Sequence, residues 1–441
     1  MAKTPVKTKK VKISEKTKKG AILLQAPKGM HDILPEDQPW WNRVRKVADT
    51  IADFYNFQRI DTPILENMEI FERGVGNTTD IVEKEMFVAR TKGGDQLVLR
   101  PENTAGIMRA YLEHGLSRLP QPLKLYYLGP FFRHERPQAG RYRQFHQGGF
   151  EIIGGDDDPL YDAQIILATY RFIEELKVKN LVIQINSIGC RVCRPTYKRK
   201  LLEYYKKFEN KLCKDCRRRI EINPLRLLDC KNESCEALKA DAPVMVNHLC
   251  SACRNHFKLD LEYLDELGLP YALSHYLVRG LDYYNRTVFE IYAEGIPSAL
   301  GGGGRYDYLA EILGGRKSPL PAVGSAPGIE RIIEVMKAQG VPGISKPRAK
   351  IFLIQIGDPA KKKALGLLEK FREADIKVIE SLGKESLSTQ LKIANKEEVQ
   401  LALLLGQREV FEDNIIIRDM KSGNQETVPL SKVVDEVKRR L

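Results

Sequence analysis

The chain has 441 residues, 43% hydrophobic and 29% charged, a balance that supports two to four folded domains and argues against intrinsic disorder. No apolar run approaches the ~18–20 residues of a membrane-spanning helix, which excludes a helical integral membrane protein. Seventy-one Lys and Arg against 58 Asp and Glu give a formal charge of +13, which points to a polyanionic partner and not to any particular fold.

That charge is local. Residues 1–20 hold eight Lys and one Glu, and the segment 1–22 is expected to be a basic, flexible arm, read either as a solvated tail or as a grip on nucleic acid. It has no apolar core to make it a secretory signal, and it lacks the arginines of a mitochondrial presequence. Residues 191–241 hold fifteen Lys and Arg against eight Asp and Glu. The remainder is close to neutral.

In chain order, a helix is predicted over 37–57, starting near Pro35, because Trp40, Val44, Val47, Ala48, Ile51 and Phe54 recur at helical spacing. FQRIDTPILE reads as a short strand interrupted by Pro63, which suits an edge or an interface. Residues 97–113 read as a strand ending at Arg100 followed by a helix. LKLYYLGPFFRHE (123–135) and FHQGGFEIIGG (145–155) read as β-segments joined by an Arg-rich loop. A strand over 181–189 precedes a helical, basic, Cys-rich stretch from about 190 to 262. Strand-like YLVRGLDYYNRTVFEIYAE (276–294) and Gly-rich ALGGGGRYDYL (299–309) follow. Hairpins outnumber β-α crossovers, so a mainly antiparallel sheet is expected, not a doubly wound parallel one. QGVPGISKPR (339–348) reads as a linker. Beyond it, alternating strands and helices predict an independent α/β domain with a parallel or mixed sheet.

The stretch RHERPQAGRYRQFHQ (133–147) concentrates Arg133, Arg136, Arg141 and Arg143 against one carboxylate, Glu135. Guanidinium groups on a hairpin hold phosphate oxygens bidentately; the alternative is a solvated basic hairpin. Gln147 and Glu151, four apart on the next strand, share a face, and a carboxylate beside arginines suits a ligand with both an anion and an amine, or an ordinary ion pair. GGGGR (301–305) lacks the Lys-Ser/Thr ending of a P-loop and reads as close backbone approach to a ligand or as a flexible loop. Arg279 is expected in a strand, with Tyr283 and Tyr284 close behind. If buried, it needs either an internal carboxylate or a substrate. Arg331 lies in a helix opening on Gly328 that would aim it back at the sheet.

These segments together resemble the class II aminoacyl-tRNA synthetases, specifically the histidyl-tRNA synthetase family, over essentially the whole chain except the Lys-rich arm. The surroundings of Pro63 resemble motif 1, FRHERPQAGRYRQFHQ motif 2 and AVGSAPGIERI motif 3. LVRGLDYYNRT resembles the histidine-specific signature, the most discriminating of the four. The resemblance implies an α+β fold: a catalytic domain on an antiparallel sheet (23–189 and 265–338), a helical Cys-rich insertion (190–264) and a C-terminal anticodon-binding domain (348–441). It implies ATP with Mg²⁺, L-histidine and tRNA-His as substrates and partners, and a homodimer. Arg133 would meet the α-phosphate, Arg331 the γ-phosphate, and Arg141 would help hold ATP. Arg279 would sit by the histidine carboxylate and α-phosphate. Glu102, Thr104 and Gln147 would bind the α-amino group, and Glu151 and Tyr284, with Tyr283 beside them, would form the side-chain pocket. Two departures stand out: Ser325 and Pro327 replace bulkier apolar residues of motif 3, and Tyr308 replaces the commoner Gly after Asp307.

All eight cysteines fall between Cys190 and Cys253, which with no signal peptide favours a reducing cytoplasm over a disulfide framework. Cys190/Cys193, Cys213/Cys216, Cys230/Cys235 and Cys250/Cys253 form four close pairs. Two CxxC pairs separated by 19 residues match a four-thiolate zinc site, and four pairs could make two such sites. The family does not imply zinc, and buried apolar cysteines are the alternative. Two rival functions remain. A catalytically inactive regulatory subunit of ATP phosphoribosyltransferase would lack the C-terminal domain, the intact LVRGLDYYN and the motif 2 arginines. A purely RNA-binding protein would not need the near-neutral central region.

Overall fold

The computed structural model describes residues 24–137, 140–345, 348–384 and 386–441; the basic arm lies outside the described residues. No helix among them is long and apolar enough to cross a membrane. The chain divides into two compact units, the first ending at Ile344 and the second spanning Ser345–Leu441.

The first unit is built on an eight-stranded sheet. Its order runs Gln58–Arg59, Leu123–Phe132, Gln144–Ile153, Ala322–Ser325, Gly301–Arg305, Asn285–Ala293, Leu181–Ser187, Tyr271–Leu273. The six inner strands are antiparallel, as the hairpin pattern predicts, and the short edge strands join in parallel. Side chains alternate across this sheet. Phe150, Ile152, Phe289 and Ile291 enter one apolar cluster, covered by the helices Gln38–Phe54, Leu160–Glu175, Ser251–Glu266 and Ile329–Ala338. Tyr127, Ile153, Val288 and Tyr306 enter the cluster on the other face, against the helix Thr104–Glu113. The helix Gln38–Phe54 follows its predicted stripe in part: Val44, Ala48 and Ile51 are buried, Trp41 and Ala52 join them, and Trp40 and Val47 are half-buried, whereas Phe54 is exposed. Pro39 sits in the first turn, where its missing N–H costs nothing.

Two sequence expectations are corrected. The strand predicted over 276–294 begins only at Asn285, so Arg279 sits in a loop. The backbone of that loop bonds elsewhere: Leu277 N–H to the Ser274 carbonyl, and Asp282 N–H to the Val75 carbonyl. Of the two readings of GGGGR the flexible loop gives way: the run is a fully buried inner strand, and its Gly301 and Gly302 line a cavity. Glycine is needed there because a Cβ on Gly302 would lie 2.7 Å from the Phe289 carbonyl oxygen and 2.9 Å from Arg279 Nη1. Arg305, at its end, points away from any ligand into a buried cage of Asp162 and Asp307.

Between Cys190 and Glu266 the described residues are helical throughout, with short 3-10 turns. Their own core gathers Tyr197, Leu201, Tyr205, Ile220, Leu227 and several cysteines. The last helix, Ser251–Glu266, sends Phe257 and Leu264 into the sheet's cluster instead.

The second unit has a five-stranded mixed sheet, ordered Val378–Glu380, Ile351–Gln355, Leu401–Leu405, Asn414–Asp419, Gln425–Pro429. The first three strands are parallel and the last two antiparallel. Ile351–Gln355 and Leu401–Leu405 are buried on both faces, which is why they read as unbroken apolar runs.

Candidate active site

A cavity opens on the sheet face shared by Tyr127, Gln147 and Glu290. Its walls include Glu102, Thr104, Arg133, Arg141, Gln147, Arg279, Tyr283, Tyr284 and Arg331. Every site residue predicted from the sequence outside the cysteines is therefore gathered here, with Glu151 directly behind Thr104. The elements explain how. The loop after Leu99 and the start of the helix Thr104–Glu113 present Glu102 and Thr104. The hairpin of Leu123–Phe132 and Gln144–Ile153 presents Arg133, Arg141 and Gln147. The N-terminal turn of Ile329–Ala338 presents Arg331.

One end of the cavity is cationic. Arg133 donates from Nε to the Pro101 carbonyl (2.9 Å) and lies 5.3 Å from the Phe145 ring centre. Arg331 is fixed by the carbonyls of Gly140 and Ala299, each at 2.9 Å. Arg141 pairs with Glu135 at 3.1 Å. Burial depresses the Arg331 guanidinium, and the neighbouring Arg141 and Arg133 push the same way against Glu135. Of these three guanidinium groups only Arg141 is ion-paired with a carboxylate, Glu135, while Arg133 and Arg331 are held by backbone carbonyls, an arrangement that an anion would satisfy.

The other end is acidic and tightly bonded. Glu102 accepts the backbone N–H groups of Thr104 (2.8 Å) and Ala105 (3.0 Å) and the Tyr283 hydroxyl (3.3 Å). Burial raises its carboxyl, while those N–H donors and the charge of Arg133 pull it down. Glu151 is fully buried and accepts from Thr104 Oγ1 (2.8 Å) and from the Tyr306 hydroxyl (2.5 Å). Burial pushes its carboxyl up to about 8, against those two hydrogen bonds. A Cβ on Gly324 would lie 1.5 Å from Glu151 Oε2, so the facing strand must carry glycine there. Between the two ends, Gln147 Oε1, Arg279 Nε and the Tyr127 hydroxyl are buried with no hydrogen-bond partner. Buried polar atoms without partners cost stability unless a ligand meets them.

Sequence reasoning missed four residues. Glu290 ion-pairs with Arg279 and accepts the Tyr292 hydroxyl at 2.5 Å, so an internal carboxylate meets Arg279. The signal was present: Glu290 and Tyr292 alternate with the buried Phe289 and Ile291. Tyr306 holds Glu151 from behind. Glu330 receives the His146 backbone N–H (2.8 Å) and lies 2.8 Å from its Nδ1. Tyr127 lay inside an apolar run with nothing to distinguish it. The motif 3 departures are accommodated locally. Ser325 shares a 2.7 Å hydrogen bond with Thr169, Pro327 covers Gly301, and Tyr308 stacks under Arg191, 4.0 Å from its ring centre.

The cysteines assemble differently from the sequence spacing. Cys190 and Cys193 meet Cys250 and Cys253, and Cys213 and Cys216 meet Cys230 and Cys235. Cys190 and Cys193 do not meet Cys213 and Cys216, from which the helix Arg194–Lys206 separates them along the chain.

Comparison with known proteins agrees with this geometry. The family model described as histidyl-tRNA synthetase matches residues 29–332, and one described as an anticodon-binding domain matches 350–440. A histidine–tRNA ligase of Dehalococcoides mccartyi is 47% identical over 421 residues, covering 95% of this chain and 100% of that protein. The apo structure of S. aureus histidyl-tRNA synthetase superposes with a TM-score of 0.76 at 32% identity, covering 94% of this chain and 99% of that one. A Bacillus halodurans structure titled as an ATP phosphoribosyltransferase regulatory subunit/histidyl-tRNA synthetase shares the fold, with a TM-score of 0.62 at 21% identity and coverage of 88% of this chain and 99% of that one. The chain belongs to the histidyl-tRNA synthetase family.

Proposed function

We propose that the cavity binds ATP at its arginine end and L-histidine at its carboxylate end, and joins them. Ligation of histidine to tRNA is the family's reaction and this chain's. The observation that carries the site assignment is the opposition of Arg133, Arg141 and Arg331 to Glu102, Thr104 and Gln147 across one cavity, with Glu151 behind Thr104 and unpartnered polar atoms between.

In this reading a histidine carboxylate oxygen attacks the α-phosphorus of ATP. The bond to the bridging oxygen breaks, and pyrophosphate leaves with the electron pair, giving histidyl-adenylate. Arg133 meets the α-phosphate, Arg331 the γ-phosphate, and Arg141 the triphosphate beside it. Arg279 shifts from Glu290 toward the histidine carboxylate and α-phosphate, where it stabilises charge that grows in the transition state. Glu102, Thr104 and Gln147 hold the α-amino group. Tyr284 and Glu151, with Tyr283 beside them, read the imidazole nitrogens, one donor and one acceptor, and so reject isosteres without those groups. A hydroxyl of the tRNA 3′-terminal ribose then attacks the histidyl carbonyl carbon, and AMP leaves.

Mg²⁺ fits this site as a companion of ATP. Glu135, Glu290 and Glu330 line the cavity and offer hard carboxylate oxygens. When bound, it neutralises phosphate charge. The Ser345–Leu441 unit, by its family match, is assigned to the tRNA anticodon, and the basic insertion to tRNA phosphates. Assembly as a homodimer through the motif 1 region is supported by the exposed apolar residues Phe54, Ile64, Leu65 and Val88. Eight free cysteines support a reducing, cytoplasmic location. The regulatory-subunit reading has less support, because the motif 2 arginines and the full C-terminal unit are present. Purified full-length chain is expected to charge a tRNA-His transcript with radiolabelled histidine in the presence of ATP; folded protein that fails to do so contradicts the reading.

A further inference from the structure

We propose that the eight cysteines hold two structural zinc ions, and that each zinc fixes an arginine that positions one end of the loop Arg279–Tyr284. The first set is Cys190, Cys193, Cys250 and Cys253, the second Cys213, Cys216, Cys230 and Cys235. Within each set the four sulfurs lie within 4.8 Å of one another.

The spacing is that of a metal and not of disulfides. Cys190 and Cys193 Sγ are 3.8 Å apart, Cys190 and Cys250 3.9 Å, Cys193 and Cys253 3.8 Å, and Cys213 and Cys230 3.8 Å. A disulfide requires about 2.05 Å. Four thiolates at the tetrahedral Zn–S distance of ~2.3 Å stand about 3.8 Å from one another. A four-iron cubane spreads its ligands over four separate metals and needs a wider cage. Backbone N–H groups already point at these sulfurs: Cys190 to Cys193 Sγ at 3.2 Å, Val192 to Cys190 Sγ at 3.3 Å, and Cys213 to Cys235 Sγ at 3.3 Å. Such donors stabilise thiolate over thiol and orient the ligands.

The first site clasps the insertion at its root, where the chain leaves the strand Leu181–Ser187 and where it re-enters the sheet's core through Ser251–Glu266. Arg194, one residue past Cys193, donates from Nη2 to the Tyr284 carbonyl and from Nε to the Ile188 carbonyl at 3.2 Å. The second site brackets the segment between Cys216 and Cys230. From that segment the buried Arg226 donates to the Arg279 carbonyl at 3.2 Å, and Asn223 Nδ2 donates to Asp282 at 3.1 Å. Arg219 of the same segment pairs with Asp80 at 2.7 Å. A loop that lines the cavity but belongs to no strand is thus held from behind at both ends by segments that a small helical insertion alone would hold weakly. Closing those segments with metal removes their freedom before substrate arrives.

The test is metal analysis of purified full-length chain. Two zinc per chain are expected; less than one, or iron in its place, overturns the proposal. Cys193→Ser and Cys216→Ser should each lower the content by one. If those variants do not fold, cobalt exchange of the unmodified chain is expected to give the charge-transfer and d–d bands of two tetrahedral tetrathiolate sites, and their absence overturns it equally. The positioning role is read separately with Arg194→Lys, which keeps the charge and loses the two-pronged grip. Zinc is expected to stay at two per chain, with KM for histidine raised about tenfold and KM for ATP nearly unchanged. Unchanged KM for histidine overturns the link to Tyr284. That kinetic arm rests on the histidine-site reading, whereas the zinc content does not, so failure of one is distinguishable from failure of the other.

Discussion

The two units bury their polar side chains in opposite ways. Among the described residues of the second unit, only Gln355 and Gln390 are buried polar side chains. They bond each other's neighbourhood: Gln390 Oε1 accepts the Gln355 N–H at 3.1 Å, and Gln390 Nε2 donates to the Gln355 carbonyl at 2.7 Å. Its ion pairs, such as Arg348 with Glu398, stand in solvent. The first unit instead buries Arg100, Glu102, Glu151, Asp162, Asp260 and Arg305. Some of these charges have fixed partners and serve the fold, as in the cage around Arg305. Others face the cavity beside atoms that have no partner. Burying charge is costly, so buried charge that lines an open cavity beside unpartnered atoms points to a ligand there, whereas the buried Asp260 and His256, also with unpartnered atoms, line no part of that cavity.

Substitutions can break or sharpen that contrast. The largest effect is expected at Arg279→Ala: about a thousandfold loss in kcat/KM for histidine activation, with the circular dichroism spectrum unchanged. Phe352→Ala, in the apolar core of the second unit, should destabilise that unit by about 3 kcal/mol or more and reduce tRNA charging, while leaving pyrophosphate exchange intact. Denaturant unfolding beside both assays checks it.

Glu151 gives a pH-dependent signature. Its carboxyl, ordinarily near 4.5, is pushed up to about 8 by burial. Between those values the folded protein holds a proton that the unfolded chain has lost, so this group's contribution is fully present below about 4.5 and is lost as pH rises through 8. Glu151→Gln mimics the protonated form. Relative to wild type, its stability without ligand should improve from pH 5 to pH 8 by about 3–4 kcal/mol; a difference that does not change with pH contradicts the burial argument. Glu102→Gln should raise KM for histidine about tenfold, since one oxygen that collects N–H donors becomes an amide. At the small end, Arg348→Ala should leave the melting temperature of the second unit unchanged, because exposed pairs contribute little.

Much of this contrast was legible in the sequence. The antiparallel order followed from hairpin spacing, the shared face of Gln147 and Glu151 from the period of two, and part of the cationic end from the Arg-rich hairpin, of whose four arginines Arg133 and Arg141 line the cavity. Arg279 was misassigned to a strand because its apolar neighbours Leu277, Val278 and Leu281 mimic one, while they pack as a loop into the apolar cluster that also holds Val75 and Ile188. The run GGGGR looked flexible because sequence cannot show that both neighbouring strands approach too closely for a Cβ. Glu290 could have been read from its alternation with the buried Phe289 and Ile291, whereas Tyr306 matters only through Glu151, a partner far along the chain, so no local pattern singled it out. The cysteine sets were open for the same reason: pair spacing limits which thiolates can meet, and only the folded insertion brings Cys190 and Cys193 to Cys250 and Cys253, and Cys213 and Cys216 to Cys230 and Cys235.

The central claim is that this cavity activates histidine and no other amino acid. ATP–pyrophosphate exchange by the purified full-length chain, run with each of the twenty amino acids separately, tests it most directly. Exchange with L-histidine alone, abolished in Arg279→Ala, is the predicted result. No exchange from folded wild-type protein, or equal exchange with a second amino acid, would contradict it.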